Sequence, residues 1–143
     1  MSEEKVNVTG FIGRELYDHK NNKFNRECVE VKTADLRASD NAHHAYKIEV
    51  FQVSNFPTDK ENSPVETCFL NFQNGGLKEV GANGITDQAL LAIVLDRVRS
   101  FNEGQFRCRE NSIVITKLEE AMLWLEKRAN DRARRNVEGE RKE

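Results

Sequence analysis

Two apolar stripes in the second half of this chain restrict its folding more than any other feature. Leu90, Leu91, Val94, Leu95, Val98 and Phe101 recur at steps of three and four, the spacing that lines one face of an α-helix. Val114, Leu118, Ala121, Met122, Leu125 and Ala129 repeat the pattern, and Ile115, Leu123 and Trp124 broaden it. Thr86 is a good N-cap for the first helix, with Asp87 in its first turn to complement the dipole. Gly104 is placed to close that helix as a C-cap. The second helix is expected to begin after Arg109-Glu110-Asn111. Two stripes joined by so short a connection predict an antiparallel αα-hairpin over 86–135. Helices with apolar faces this wide cannot cover each other completely. A sheet, another subunit, or both must cover the remainder, so an oligomer is expected.

Residues 1–74 carry a different period. Val6, Val8, Phe11 and Ile12 form a first short run, and Cys28-Val29-Glu30-Val31 a second. Tyr46, Ile48 and Val50 alternate with Lys47 and Glu49, the mark of a half-buried strand, and Phe51 and Val53 extend it. Thr67-Cys68-Phe69-Leu70-Asn71-Phe72 is a fourth run. Asp18 to Lys23 looks like a hairpin turn, and Ser54 to Pro64, which holds both prolines, like a loop. The expected fold class is α+β: a small N-terminal antiparallel β-sheet with one buried face, then a C-terminal antiparallel helical hairpin, oligomeric. The expected divisions are a β-sheet region over 1–74, a glycine-rich loop over 75–85, the hairpin over 86–135 and a polar tail over 136–143.

Charge and cysteine usage exclude several function classes. The 143 residues sum to a net charge of −2, which gives no global electrostatic case for a nucleic-acid polymer or an acidic membrane. Arg128, Arg132, Arg134 and Arg135 cluster near the end, where they either contact phosphate or complement a helix C-terminus. The interleaved Glu138, Glu140 and Glu143 weaken the first reading. The apolar runs are too short to span a bilayer, and Met1-Ser2-Glu3-Glu4-Lys5 lacks a secretory pattern, so a cytosolic location is expected. Cys28, Cys68 and Cys108 are odd in number, without a C-x-x-C pair, and read as reduced thiols. His43 and His44 are adjacent, which puts them on opposite sides of a strand and makes joint chelation difficult. Glu119 and Glu120 diverge by about 100° on a helix and make poor paired carboxylates. No nucleophile-elbow, zinc-protease or complete P-loop pattern occurs. Neither catalysis nor a cofactor is expected.

The stretch from Phe72 to Thr86 holds four of the eight glycines. Such a loop feeding a helix N-terminus suits an anion, because glycine lets backbone N–H groups approach a phosphate closely. Lys78 lies inside it, with Phe72 and Asn83 at its ends, so charge, aromatic face and amide together suit a nucleotide. Glycine loops also serve as plain turns, and composition alone does not separate the two.

The run from Gly75 to Arg97, and that from Arg109-Glu110-Asn111-Ser112 through Leu123-Trp124-Leu125, resemble the phage Thoeris anti-defence sponge family. Its smaller relative, the anti-CBASS sponge, shares the hairpin domain. The resemblance is specific over residues 72–139 and only architectural upstream. It implies a non-enzymatic protein that binds a bacterial immune cyclic nucleotide signal and holds it intact in the cytoplasm of the infected host. For Thoeris that signal is a glycocyclic ADP-ribose; the relative holds cyclic di- and trinucleotides. Hexameric assembly is implied as well. An ADP-ribose-type site then falls on Phe72, Asn74, Lys78 and Asn83, and a cyclic trinucleotide-type site on Arg107 and Arg109. Plain exposed arginines near a helix start explain the latter pair equally. Where the family commonly has Gly-Pro-Ile this chain has Gly75-Gly76-Leu77, which loosens the loop and bears on affinity rather than fold. The alternatives from other classes are an enzyme hydrolysing a cyclic nucleotide signal, and a non-catalytic adaptor using the Arg-rich tail.

Overall fold

Alternation of apolar and charged residues produces a four-stranded antiparallel sheet in the N-terminal half. The computed structural model describes residues 13–52 and 63–135. The chain divides into two units, Met1–Asn71 and Phe72–Glu143. In the first, β1 (Glu15–Leu16), β2 (Val29–Thr33), β3 (Ala45–Val50) and β4 (Glu66–Asn71) follow one another in the order β1-β2-β3-β4. The register puts Val31 beside Ile48 and Ile48 beside Cys68, with Thr33, Tyr46 and Leu70 in the next row. Side chains alternate faces, so these rows share one apolar face. Glu30, Lys32, Lys47 and Glu49 occupy the other, where Lys32 pairs with Glu30 at 3.5 Å and Lys47 with Glu49 at 3.5 Å. Burial of the apolar face is partial. Thr33 is 3% exposed, the rest of β2 and all of β3 are half-buried, and β4 is mostly exposed.

The expected turn over Asp18–Lys23 holds only at its start. Lys20 N donates to Tyr17 O at 2.9 Å, and the chain then enters a helix, α1 (Lys23–Cys28). Asn22 caps it, its side chain accepting from Asn25 N at 2.8 Å, and Lys23 pairs with Glu27 one turn on at 2.9 Å. Cys28 therefore ends a helix, buried, instead of opening a strand, and β2 starts at Val29. Between β2 and β3, His43 Nδ1 meets Asp35 Oδ1 at 3.2 Å and His44 Nε2 meets Asp40 Oδ2 at 3.0 Å. The two imidazoles thus take separate carboxylates, while His44 N donates to Asp35 Oδ2 at 2.8 Å. The run Val6 to Ile12, Val53, and residues 54–62 of the expected loop lie outside the described residues.

In the second unit, α3 (Asp87–Asn102, 16 residues) starts where Thr86 Oγ1 accepts from Ala89 N at 3.1 Å. The tetrapeptide helix before it, α2, spans Leu77–Val80. The last helix, α4 (Arg109–Arg134, 26 residues), starts earlier than expected. Its cap is Cys108, whose Sγ accepts from Asn111 N at 3.4 Å, a role that sequence rules reserve for oxygen-bearing side chains. Gly104 is no left-handed cap either. Glu103 closes α3 in the right-handed region, and Gly104 is a turn residue whose N–H donates to Phe101 O at 3.2 Å. Asn102 ties this turn together: its Nδ2 donates to Ser112 Oγ at 3.1 Å, and its Oδ1 accepts from Cys108 N at 3.1 Å. Arg99 pairs with Glu119 at 2.6 Å across the two helices. At the far end of α4, the hydrogen bond from Lys127, reinforced by Arg134, holds the Asp131 carboxyl below its ordinary range. Among the described residues no helix is long and apolar enough to cross a membrane.

The hairpin core is thin. Leu95 is 7% exposed and is its one buried apolar residue among those described. Ile115, Leu118, Met122 and Leu125 on α4 are half-buried. Leu123 and Trp124 are 64% and 63% exposed. Leu95→Ala removes the most buried contact of this core and is expected to cost roughly 2–3 kcal/mol, the lower end of the range for such truncations because its neighbours are free to relax. Thermal unfolding followed by helical circular dichroism checks this, and an unchanged midpoint would contradict it.

Candidate functional site

Side-chain amides close the glycine-rich loop. Asn83 Oδ1 accepts from Asn74 N at 2.8 Å, and Asn83 Nδ2 donates to Asn74 O at 2.8 Å. One amide thus imitates a backbone partner and joins the two ends of the loop. Gln73 works from the other side. Its Nε2 donates to Gly81 O at 2.8 Å and to Gly75 O at 3.0 Å, while its Oε1 accepts from Asn83 N at 2.9 Å. Below them Phe72 and Ile85 form a parallel bridge, with Gln73 N donating to Ile85 O at 2.9 Å.

Glycine is required where these segments cross. A Cβ on Gly84 would lie 2.4 Å from Phe72 C and 2.6 Å from Gln73 N, distances that only backbone movement relieves. Gly75 and Gly81, at φ 102 and 75, flank α2 in conformations that side chains disfavour. The expected irregular loop over 75–85 thus contains a helical turn. Glu79 N and Val80 N both donate to Gly76 O, at 3.0 and 2.9 Å, which draws Leu77–Val80 into a turn between the two positive-φ glycines.

The candidate residues fall in two places. Phe72 is half-buried at the base of the loop, Asn74 and Asn83 hold its ends, and Lys78 is exposed on α2. Asn83 has no positive φ; among the described residues Asn41 is the one non-glycine that does. Asn83 therefore acts here through its amide and not through a left-handed backbone. Arg107 and Arg109 are exposed at the turn between α3 and α4, and neither guanidinium has an ion pair among the described residues. Phe106 stacks edge-on against Phe101 at 6.1 Å, and Arg97 lies over Phe101 at 5.1 Å, so this turn carries aromatic rings beside its arginines, with Glu103 and Glu110 as its acidic residues. The loop precedes α3 and the arginines follow it. A helix of 16 residues separates them by about 24 Å along its axis. Gln73 is the site residue that sequence reading missed, because its bonds reach up to ten positions along the chain and no local motif announces them.

Residues 68–129 match the family model described as Acb2/Tad1, hairpin domain. The chain carries an Acb2/Tad1 hairpin domain. The match runs from β4 through the loop and α3 into α4. A Bacillus phage SBSphiJ7 protein named Thoeris anti-defense 1 is 50% identical over 70 residues, covering 49% of this chain and 49% of that protein. The alignment spans about half the length of that relative. The resemblance to the Thoeris anti-defence family is thereby borne out, and the candidate loop and turn both belong to the matched hairpin domain. Gly84→Ala is expected to break the Phe72–Ile85 bridge of this domain and to displace the Phe72 ring, since backbone has to shift by tenths of an ångström or more. Amide chemical shifts checked residue by residue should change for Phe72, Gln73 and Ile85 and stay near wild type in the second half of α4.

Proposed function

We propose that this protein acts in phage anti-defence as a sponge: it binds a bacterial immune cyclic nucleotide signal, a glycocyclic ADP-ribose, at the loop from Phe72 to Asn83 and holds it without cleavage. The observation that carries this reading is the closed loop itself, in which an aromatic base, a cation at Lys78 and glycine backbone lie within one hydrogen-bonded frame inside the matched domain. A ligand with an adenine and a pyrophosphate presents one π face and about two charges. The face suits Phe72, where stacking contributes about 1–3 kcal/mol. The charges suit Lys78 and the backbone N–H groups of Gly76, Leu77 and Lys78, since those of Glu79, Val80 and Gly81 already bond within the turn. No general base is needed, because a sponge does not transform its ligand. Arg107 and Arg109, with Phe101 and Phe106 beside them, offer a separate anion site for cyclic di- or trinucleotides at the other end of α3. The site of action is the cytoplasm of the infected host.

Calorimetry tests the assignment. Phe72→Ala should weaken glycocyclic ADP-ribose binding by about one to two orders of magnitude with the fold intact, since 1.4 kcal/mol is tenfold. Replacing Arg107 and Arg109 together by alanine should abolish cyclic trinucleotide binding and leave the ADP-ribose ligand bound. Wild-type affinity in Phe72→Ala would remove the loop from the site. Mass spectrometry of ligand released by heating should return it chemically unchanged, and a hydrolysed product would favour the enzyme reading.

The same reading places a second copy of the chain, and in the full assembly a hexamer, on the uncovered hairpin faces. Ile93, Leu123 and Trp124 are all more than half exposed, and apolar area of this kind is ordinarily covered by a partner. Light scattering at micromolar protein should give a mass well above one chain. Trp124→Glu should lower that mass, and a wild-type monomer would overturn the assembly.

A further inference from the structure

We infer that Gln73 is the positioning residue of the ligand loop: its carboxamide sets the loop's shape before any ligand arrives, while touching no ligand itself. The inference rests on the reading of this loop as the signal pocket. Three hydrogen bonds carry it. Gln73 Nε2 donates to Gly75 O at 3.0 Å, just before α2, and to Gly81 O at 2.8 Å, just after it. Its Oε1 accepts from Asn83 N at 2.9 Å. One side chain therefore spans the α2 turn from end to end and grips the residue that closes the loop. Both amide hydrogens and the carbonyl oxygen are directed at loop backbone, the arrangement of a frame and not of a ligand-reading group.

The need for such a frame follows from the glycines. Gly75, Gly76, Gly81 and Gly84 give the unbound segment many accessible conformations, and ordering glycine on binding subtracts from affinity. Gly76 makes the consequence testable. It lies at φ −73, the value a proline ring imposes, and its N–H makes no backbone hydrogen bond among the described residues. Proline at 76 is thus a second, independent source of loop order.

The experiment uses the full chain with glycocyclic ADP-ribose as probe and Gln73→Met as the variant, which keeps size, removes these three side-chain bonds and leaves the backbone bond to Ile85 in place. Gln73→Glu, which keeps the acceptor for Asn83 N and loses both donors, is the second variant. Hydrogen exchange is read first in the ligand-free protein, at Asn74 N–H, which bonds Asn83 and not Gln73. Exchange there should approach the unprotected rate, with α3 and α4 amides unchanged, because a competent fraction of about a tenth is a loop open most of the time; apparent affinity then falls about tenfold. Stopped-flow binding should lose that factor mainly in association. Adding Gly76→Pro to Gln73→Met should restore most of it. Unchanged Asn74 exchange in both variants would overturn the positioning role. Failure of proline to restore binding would make Gln73 a ligand contact and overturn it as well. If the wild type binds no glycocyclic ADP-ribose, the sponge reading falls, while the exchange data still decide whether Gln73 shapes the loop.

Discussion

The parallel bridge between Phe72 and Ile85 is the contact on which the second unit depends. It fixes where the loop leaves and where it returns, and the Thr86 cap of α3 follows one residue later. The bridge exists because Gly84 lets one backbone approach another more closely than any Cβ allows. On that base the Asn83 and Gln73 amides can reach across the loop, since their backbones are already held at the right separation. A loop so built is ordered by hydrogen bonds to its own backbone. Within it Gly81 N donates to Leu77 O at 3.0 Å and closes the α2 turn.

The polar contacts between the hairpin helices gather toward the turn that joins them. Polar side chains do much of the work: Asn102 against Cys108 and Ser112, Asn111 against Phe106, Arg99 against Glu119. The apolar layer between the helices is shallow, with Leu95 at its centre. On a helix of about 3.6 residues per turn, Ile113 and Trp124 fall on nearly the same line, away from Ile115, Leu118 and Met122. Two apolar faces on one helix cannot both meet the same neighbour. This geometry explains why the stripe looked too wide for a simple hairpin, and why cover from another copy of the chain is part of the proposed function.

Several expectations failed for local reasons. Cys28 shares the apolar character of Val29 and Val31, yet Asn22 supplies a cap and Lys23–Glu27 a helical pair, and the chain is helical until Cys28. Gly104 looked like a helix stop, but the turn is stabilised by Asn102 and needs no left-handed residue there. Local rules give Cys108 no capping role, since thiols rank low among capping groups, yet α4 starts ahead of Asn111, whose N–H is the donor to that cap. The tetrapeptide Leu77–Val80 escaped because so short a helix carries no period to detect.

The pattern of residues alone determined the sheet strands at Tyr46–Val50 and Thr67–Asn71, the two helices, the Thr86 cap and the family of the hairpin. These follow from local rules: alternation, three-four spacing, a hydroxyl before a helix. Only the tertiary structure decided the order of the sheet, the thinness of the core and the shape of the loop. The reason is range. Phe72, Asn74, Lys78 and Asn83 were visible as chemical types, but the frame holding them rests on bonds between positions eight to ten apart, and on a backbone crossing at Gly84. Whether an amide faces outward or closes a loop depends on where distant backbone lies, and that is settled only when the chain has folded.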